Sequence, residues 1–505
     1  MGVRKGDVVT ICMPNTPQAL DVFYALNRIG AVSNMVHPLS AQNEITSYLD
    51  FAESNMILTL DMFYEKVKKA TKNCNHKVII LTARMQDELP IFKAAGYLAT
   101  QGRKFLKYPE KDDLLYTDFL KKGTMNIALP EIVYDPSKHC SILYSGGTSS
   151  LPKGICLSDK NFNATALQAT ACIQSTLAPG YTMLSCMPVF HGFGLGINIH
   201  TVLVNGACCI LMPSFNGKSY ANMLKKRHPN YIAGVPTIFE ALLHIPELDG
   251  VDLSFLKGVF CGGDSLSVEL KKKVDVFLKE HNASIQIREG YGLTECVTAS
   301  CLTPKDTYRE GSIGLPFPDT KYCIVKPGTD EEVHPMEEGE IILKGPSVML
   351  KYLKNEEETK NTLRRLSDGD IWLYTGDLGY MDEDGYIYFK QRIKRMIITN
   401  GYNVYPSQIE NVIDSCDEVS YSCVIGVKDE RRMQRVKAYI VLKDGVPAND
   451  TTKQHILDEL RLHVAQYALP KEIEFRKELP KTLVGKVAYR KLEDEVNALE
   501  GKQND

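Results

Sequence analysis

VVTICMPNTPQALDVFYALNRIGA, residues 8 to 31, is an apolar run broken at Pro14-Asn15 and resumed with apolar residues three and four apart. The first half predicts a strand over 8–15 that ends in a turn. The second predicts an amphipathic helix over 16–31, stopped by Gly30. Together they make a βα unit. The same rhythm recurs in GACCILMPSF (206–215) followed by YANMLKKRH, in YIAGVPT followed by IFEALLHI, and in FLKGVFCGGD followed by SLSVELKKKVDVFLKEH. Several such units predict an α/β fold with mostly parallel sheets and helices on both faces. Ligands in such sheets sit at the carboxyl ends of strands, where the glycine-bearing loops lie.

After about residue 310 the texture changes to short alternating stretches, KYCIVK, GEIILKG, IWLYTGDLGYM and GYIYFKQ, between Gly, Pro and Asp turns. This predicts antiparallel β structure, a small barrel within the large unit. From about 395 a separate α+β pattern begins: PSQIENVIDS as a helix, SCVIGVKD and RVKAYIVLKDG as a hairpin, and a helix near 452–467. The boundary falls at Lys394, inside the basic linker KQRIKR, giving a large domain over 1–393 and a small one over 394–505.

At 505 residues there is ample material for buried cores, and a formal net charge of −3 offers no basic field for nucleic acid or an anionic membrane. A polyanion would have to be met by local groups. The 14 cysteines are scattered without a CxxC pair or zinc spacing, so free thiols and a cytoplasmic location are expected. MGVRKGDVV carries no signal-peptide run, and Gly6 stands where myristoylation requires a hydroxyl residue. No segment reaches the length of a membrane span.

Five segments carry chemistry. SILYSGGTSSLPKG (141–154) approaches a P-loop but has Pro152-Lys153-Gly154 where Gly-Lys-Ser/Thr is needed. Pro152 removes an N–H donor and Gly154 offers no hydroxyl, so it is not a P-loop. Thr148, Ser149 and Ser150 beside Lys153 still suit a polyphosphate, and a Gly/Ser surface turn is the competing reading. In REGYGLTECV (288–297), Tyr291 can stack on a base, Thr294 can donate to a phosphate and Glu295 can hold Mg²⁺; a capped helix start explains the same letters. In LYTGDLGYM, Asp377 can accept both hydroxyls of a ribose or close an Asx turn. In LPKTLVGKVAYRKL (479–492), Lys486 follows Gly485 and can carry charge to a transferring group, or remain solvated. In MPVFHGFGLG (187–196), Phe190-His191 precedes small residues that can border an apolar tunnel.

In this order the segments resemble the adenylate-forming, AMP-binding superfamily of acyl-CoA synthetases, aryl-CoA ligases, luciferases and peptide-synthetase adenylation domains. The resemblance spans essentially the whole chain. YSGGTSSLPKG looks like the phosphate loop, YGLTE the nucleotide and magnesium motif, YTGD the ribose motif, QRIKR the hinge and PKTLVGK the catalytic-lysine motif. It implies that ATP and a carboxylic acid form acyl-AMP, and that the thiol of CoA then displaces AMP. It assigns Ser145, Gly146, Gly147, Thr148, Ser149, Ser150 and Lys153 to the phosphates, and Gly263, Asp264, Ser265, Tyr291, Gly292, Asp377 and Arg392 to the nucleoside. Thr294, Glu295 and Lys486 become catalytic, and Thr148 and Glu295 hold Mg²⁺. Phe190, His191, Val235, Gly262 and Gly263 line the acyl pocket, Gly401 and Tyr402 meet CoA, and Lys394 is the hinge about which the small domain turns between steps.

Departures exist. Gly146 stands where the family usually has Ser, Ser150 where it has Gly, Gln391 replaces a Gly, and Arg395 replaces an acid after the hinge. Relatives carry a further segment before the part matching MGVRKGDVV, so the chain is expected to be short at its start. His191 stands where amino-acid-activating relatives place an Asp, which favours a neutral acyl tail. Gly192, Gly194 and Gly196 suggest room for a tunnel, hence a medium- or long-chain fatty acid. An aryl acid, or loading of a carrier-protein thiol, stays open, as do a non-catalytic binding role and a homodimer. GGDSL (262–266) imitates a phosphopantetheine serine motif, but its place after GVFC fits a ligand-pocket loop better.

Overall fold

A computed structural model describes residues 2–100, 102–105, 110, 112–123, 133–145, 153–399, 402–429, 433–482 and 487–501. The opening stretch folds as read. Val8–Cys12 is a strand, and Pro17–Arg28 is a helix whose Thr16 hydroxyl accepts from the Ala19 N–H while Pro17 occupies the first turn, where no donor is missed. Gly30 then takes a left-handed φ of 70° to turn the chain.

Two large sheets carry the site. In the first, of eight strands, Val8–Cys12 is flanked in parallel by Val32–Met35 and Met56–Leu60. His139–Ser145 adds to Val32–Met35 in parallel, and Lys153–Ser158 returns antiparallel to it with Ser145 opposite Lys153. In the second, of seven strands, Ile287–Tyr291, Gly258–Gly262, Tyr231–Gly234, Thr182–Ser185 and Cys208–Leu211 run parallel. The apolar runs of Gly258–Gly262 and Tyr231–Gly234, fully buried, follow from being covered on both faces.

Residues 321–392 form a five-stranded antiparallel sheet. The antiparallel β structure expected after residue 310 is present here. Ile371–Met381 is long enough to pair with Leu363–Arg365 at one end and Ile387–Arg392 at the other, while Gly339–Lys344 lies along its opposite edge. The last sheet is built on the hairpin Val419–Asp429/Met433–Leu442, with the helices Pro406–Asp414 and Asp450–His463 packed into one apolar core with it. The chain passes into it through the strand Ile387–Arg392 and the turn Ile393–Arg395.

Candidate functional site

The carboxyl ends of Gly258–Gly262 and Ile287–Tyr291 face the same way, because the strands are parallel neighbours with Gly262 opposite Gly290. Gly262 is buried, and a Cβ there would lie 2.9 Å from the Gly290 carbonyl oxygen. Beyond it Gly263 turns with φ at 80°, and Gly263, Asp264 and Ser265 emerge exposed. Val235 and the Phe193 ring stand within van der Waals reach of the Gly263 position. Three of the residues expected at an acyl pocket, Val235, Gly262 and Gly263, therefore share one wall. Phe193 completes it.

The YGLTE segment leaves its strand at Tyr291. The phenol donates to Asp377 Oδ2 at 2.6 Å, and Asp377 in turn faces Arg392 Nε at 3.6 Å across an antiparallel pair in which the two residues are register partners. Asp377 is buried whereas the Arg392 side chain is more than half exposed, so the carboxylate is fixed and the guanidinium can swing. Burial raises the Tyr291 phenol well above its ordinary pKa, and the neighbouring Asp377 charge adds to the rise. Burial works against the charge on Arg392, but Asp377, Tyr291 and Glu295 outweigh it and hold the guanidinium protonated. A carboxylate has two acceptor oxygens, the number a vicinal diol can donate to.

Four residues further on, Glu295 accepts a 2.8 Å hydrogen bond from the hydroxyl of Tyr352. The other side of Tyr352 receives Lys153, whose Nζ lies 4.8 Å from the ring centroid and pairs with Glu358. Burial, with Glu295 beside it, drives the Tyr352 phenol far up, so it acts only as a donor near neutrality. A single carboxylate such as Glu295 is the donor set Mg²⁺ takes when substrate phosphates and water supply the rest, and no cluster of three protein ligands occurs among the described residues. Tyr352 and Glu358 were missed in the sequence. The available signal was Asn355, which caps the helix Glu356–Thr362 by accepting from the Glu358 N–H.

Phe190 and His191 lie ahead of Phe193–Thr201, which winds as a wide-turn π-helix. Phe190 packs on the His37 ring at 4.1 Å, and His191 Nδ1 accepts from the Phe193 N–H at 3.2 Å. The inference of tunnel space from the three glycines is corrected by what occupies that space. A Cβ on Gly192 would come 1.7 Å from the Val297 carbonyl oxygen, one on Gly194 2.0 Å from that of Pro188, and one on Gly196 2.8 Å from Val297 Cγ1. These glycines permit backbone contact. Val297 itself is a buried, β-branched residue at φ 64° and ψ −59°, with Thr298 N–H bonded to the Cys296 carbonyl, a strained γ-turn clamped against Gly192. Gly292 is likewise pressed on the Thr298 carbonyl, at 2.0 Å from a would-be Cβ.

The hinge region has anchors on either side. Arg392 faces Asp377 on the large sheet side, while Arg395 Nη2 bonds Glu410 at 2.6 Å and the Val424 carbonyl, both beyond it. Lys394 lies in the turn between these anchors, and Tyr402 begins the short strand Tyr402–Val404. Gly146, Gly147, Thr148, Ser149, Ser150, Gly401 and Lys486 lie outside the described residues.

The profile of AMP-binding enzymes matches residues 1–353, and that of the AMP-binding enzyme C-terminal domain matches 408–486. A long-chain-fatty-acid–CoA ligase of Bacillus subtilis (strain 168) is 36% identical over 502 residues, covering 98% of this chain and 86% of its own length. Among solved structures, ATP-bound MatB from Rhodopseudomonas palustris superposes with a TM-score of 0.81 at 24% identity, over 98% of this chain and 89% of that one. A benzoate CoA ligase from Burkholderia xenovorans LB400 does so at 0.81 and 20%, over 97% and 90%. No helix among the described residues is long and apolar enough to cross a membrane.

Proposed function

The chain belongs to the AMP-binding enzyme family, and from that premise we propose that it is an AMP-forming acid–thiol ligase acting on a medium- or long-chain fatty acid, with ATP and CoA as co-substrates. Two linked sets of contacts support this reading: Tyr291 bonds Asp377, which faces Arg392, and Tyr352 joins Glu295 to Lys153. The preference for a fatty acid rests on the 36% identical relative and on His191, which supplies no carboxylate for a substrate ammonium.

A carboxylate is a poor electrophile because its leaving group is an oxide dianion. Attack of its oxygen on the α-phosphorus of ATP breaks the bond to the β-phosphate bridging oxygen and releases pyrophosphate. Sulfur of the CoA thiol then attacks the acyl carbon, the carbon–oxygen bond to AMP breaks, and AMP departs with the electron pair. Little covalent chemistry falls to the protein, so positioning and charge stabilisation carry the catalysis. Asp377 holds the ribose diol, oriented by Tyr291 and Arg392. Tyr291 and the segment Gly263-Asp264-Ser265 flank the base, with Gly292 letting the YGLTE backbone lie close. Ser145 and the loop Gly146, Gly147, Thr148, Ser149 and Ser150, with Lys153, hold the β- and γ-phosphates. Thr294 donates to phosphate oxygens. Mg²⁺ held by Glu295 and Thr148 would neutralise charge on the triphosphate. Lys486 bridges the α-phosphate and the entering carboxylate. Phe190, His191 and Val235 border the acyl chain.

Between steps we take residues 394–505 to rotate as a unit against 1–393. Lys394 is the pivot, since Arg392 and Arg395 are tied to opposite sides. The turn withdraws Lys486 and brings Gly401 and Tyr402 to the pantetheine arm. An aryl acid is the alternative substrate, and a carrier-protein thiol the alternative acceptor. Pyrophosphate and acyl-CoA measured over saturated C2 to C18 acids, benzoate and cinnamate, with and without CoA, test the reading. Long acids should dominate both signals. Activity confined to aryl acids, or pyrophosphate without acyl-CoA, would replace it.

A further inference from the structure

Lys153 opens the strand Lys153–Ser158 and follows the proposed phosphate loop directly in sequence. Yet it is already engaged. Glu358 pairs with it, the Tyr352 ring covers it at 4.8 Å, and Lys153 and Glu358 retain 25% and 32% side-chain exposure, so solvent and solutes reach the pair. Glu358 belongs to the first turn of the helix Glu356–Thr362, which begins with three consecutive glutamates, and its backbone N–H is bonded by Asn355 Oδ1. The cap fixes the backbone at Glu358, so its side chain starts from a set position beside Lys153. A triphosphate directed at Lys153 meets that carboxylate at ion-pair range, where like charges repel.

We propose that Glu358 is an internal anion that occupies Lys153 while no polyphosphate is bound, so that nucleotide triphosphate binds by displacing it. This rests on the reading of Lys153 as a phosphate-binding group. Displacement exchanges one anion for another on the same ammonium. Lys153 therefore stays oriented over Tyr352 in both states, and Tyr352 keeps its hydroxyl on Glu295. The consequence is selectivity by charge: a ligand with a terminal polyphosphate can compete with Glu358 for Lys153, and AMP, which lacks one, does not. Glu358 thus raises the ligand concentration required for the first half-reaction and leaves release of AMP after the second unhindered. It is a positioning residue, since it acts through Lys153.

The test is Glu358→Gln, with Glu358→Ala as a second variant should the first misfold, each checked for a wild-type melting curve. Calorimetric Kd values for MgATP, magnesium pyrophosphate and AMP are measured beside KM for ATP and kcat of pyrophosphate release. The expected result is three- to tenfold tighter MgATP and pyrophosphate, unchanged AMP, and a lower KM for ATP with kcat no higher. In a Lys153→Ala background the effect of Glu358→Gln should vanish. Equal or weaker binding of triphosphate by both Glu358 variants, or the same gain without Lys153, overturns the proposal while the ligase reading stands. A wild-type protein that binds neither MgATP nor pyrophosphate overturns both.

Discussion

Replacing Gly194 by alanine puts a methyl carbon 2.0 Å from the Pro188 carbonyl oxygen and 2.5 Å from that of Met187. Real Cβ atoms do not approach a neighbour within 3.0 Å, so one wall must retreat by about 1 Å, and both walls are backbone rather than a rotatable side chain. The surroundings give little room, because Val189, Leu195, Ile199 and Val297 pack into one buried cluster with the first sheet. Overpacking of this kind costs about 3 kcal/mol or more. With unfolding entropy near 2.1 cal/mol/K per residue, a unit of this size loses roughly 1 °C of melting midpoint per kcal/mol. Gly194→Ala should therefore melt about 3–4 °C or more below wild type, and activity should fall alike on short and long acids. Gly196→Ala meets the Val297 Cγ1 methyl at 2.8 Å rather than backbone and should be milder. Scanning calorimetry with the acid panel reads both quantities. Were Gly194→Ala to melt with the wild type and lose only the longest acids, the glycines would border a tunnel after all and the packing explanation would be wrong.

Two further perturbations bear on the cleft. Burial pushes the Glu289 carboxyl up to about 8, against 4.5 for an ordinary glutamate, although Oε1 accepts the Leu266 N–H at 3.0 Å. The folded chain then keeps a proton that the unfolded chain releases, so stability is full below about pH 4.5 and declines as pH rises to about 8. Because Glu289 is only partly buried, the decline attributable to this group is about 1–3 kcal/mol. Urea midpoints taken from pH 5 to 8 should fall less in Glu289→Gln, and parallel curves would refute the assignment. Asp377→Asn leaves Tyr291 with a neutral acceptor and Arg392 without its counter-charge. It should weaken ATP and AMP about tenfold or more, measured by calorimetry, and unaltered affinity for either would remove Asp377 from the ribose.

The βα units were legible because each strand–helix pair writes its own period and turn residues. Pro17, Gly30 and the apolar spacing fix Val8–Arg28 locally. The motif reading named Tyr291, Asp377 and Glu295, and the structure pairs Tyr291 with Asp377 and Glu295 with Tyr352. What was not legible depends on contacts distant in sequence. Lys153 and Glu358 are 205 positions apart, and nothing local to either foretells the pair. The same holds for the glycines of HGFGLG. Small residues permit either open space or close backbone approach, and only the Val297 turn and the Pro188 carbonyl decide between them.

The most direct measurement follows Lys486→Ala through the two half-reactions separately. Pyrophosphate release from ATP and a long-chain acid reports the first, and acyl-CoA formed from supplied acyl-AMP reports the second. If Lys486 serves only the attack on phosphorus, the first should drop by at least about a hundredfold while the second stays near the wild-type rate. Equal loss in both, or loss in neither, would contradict a lysine that enters the site for one step and leaves for the next.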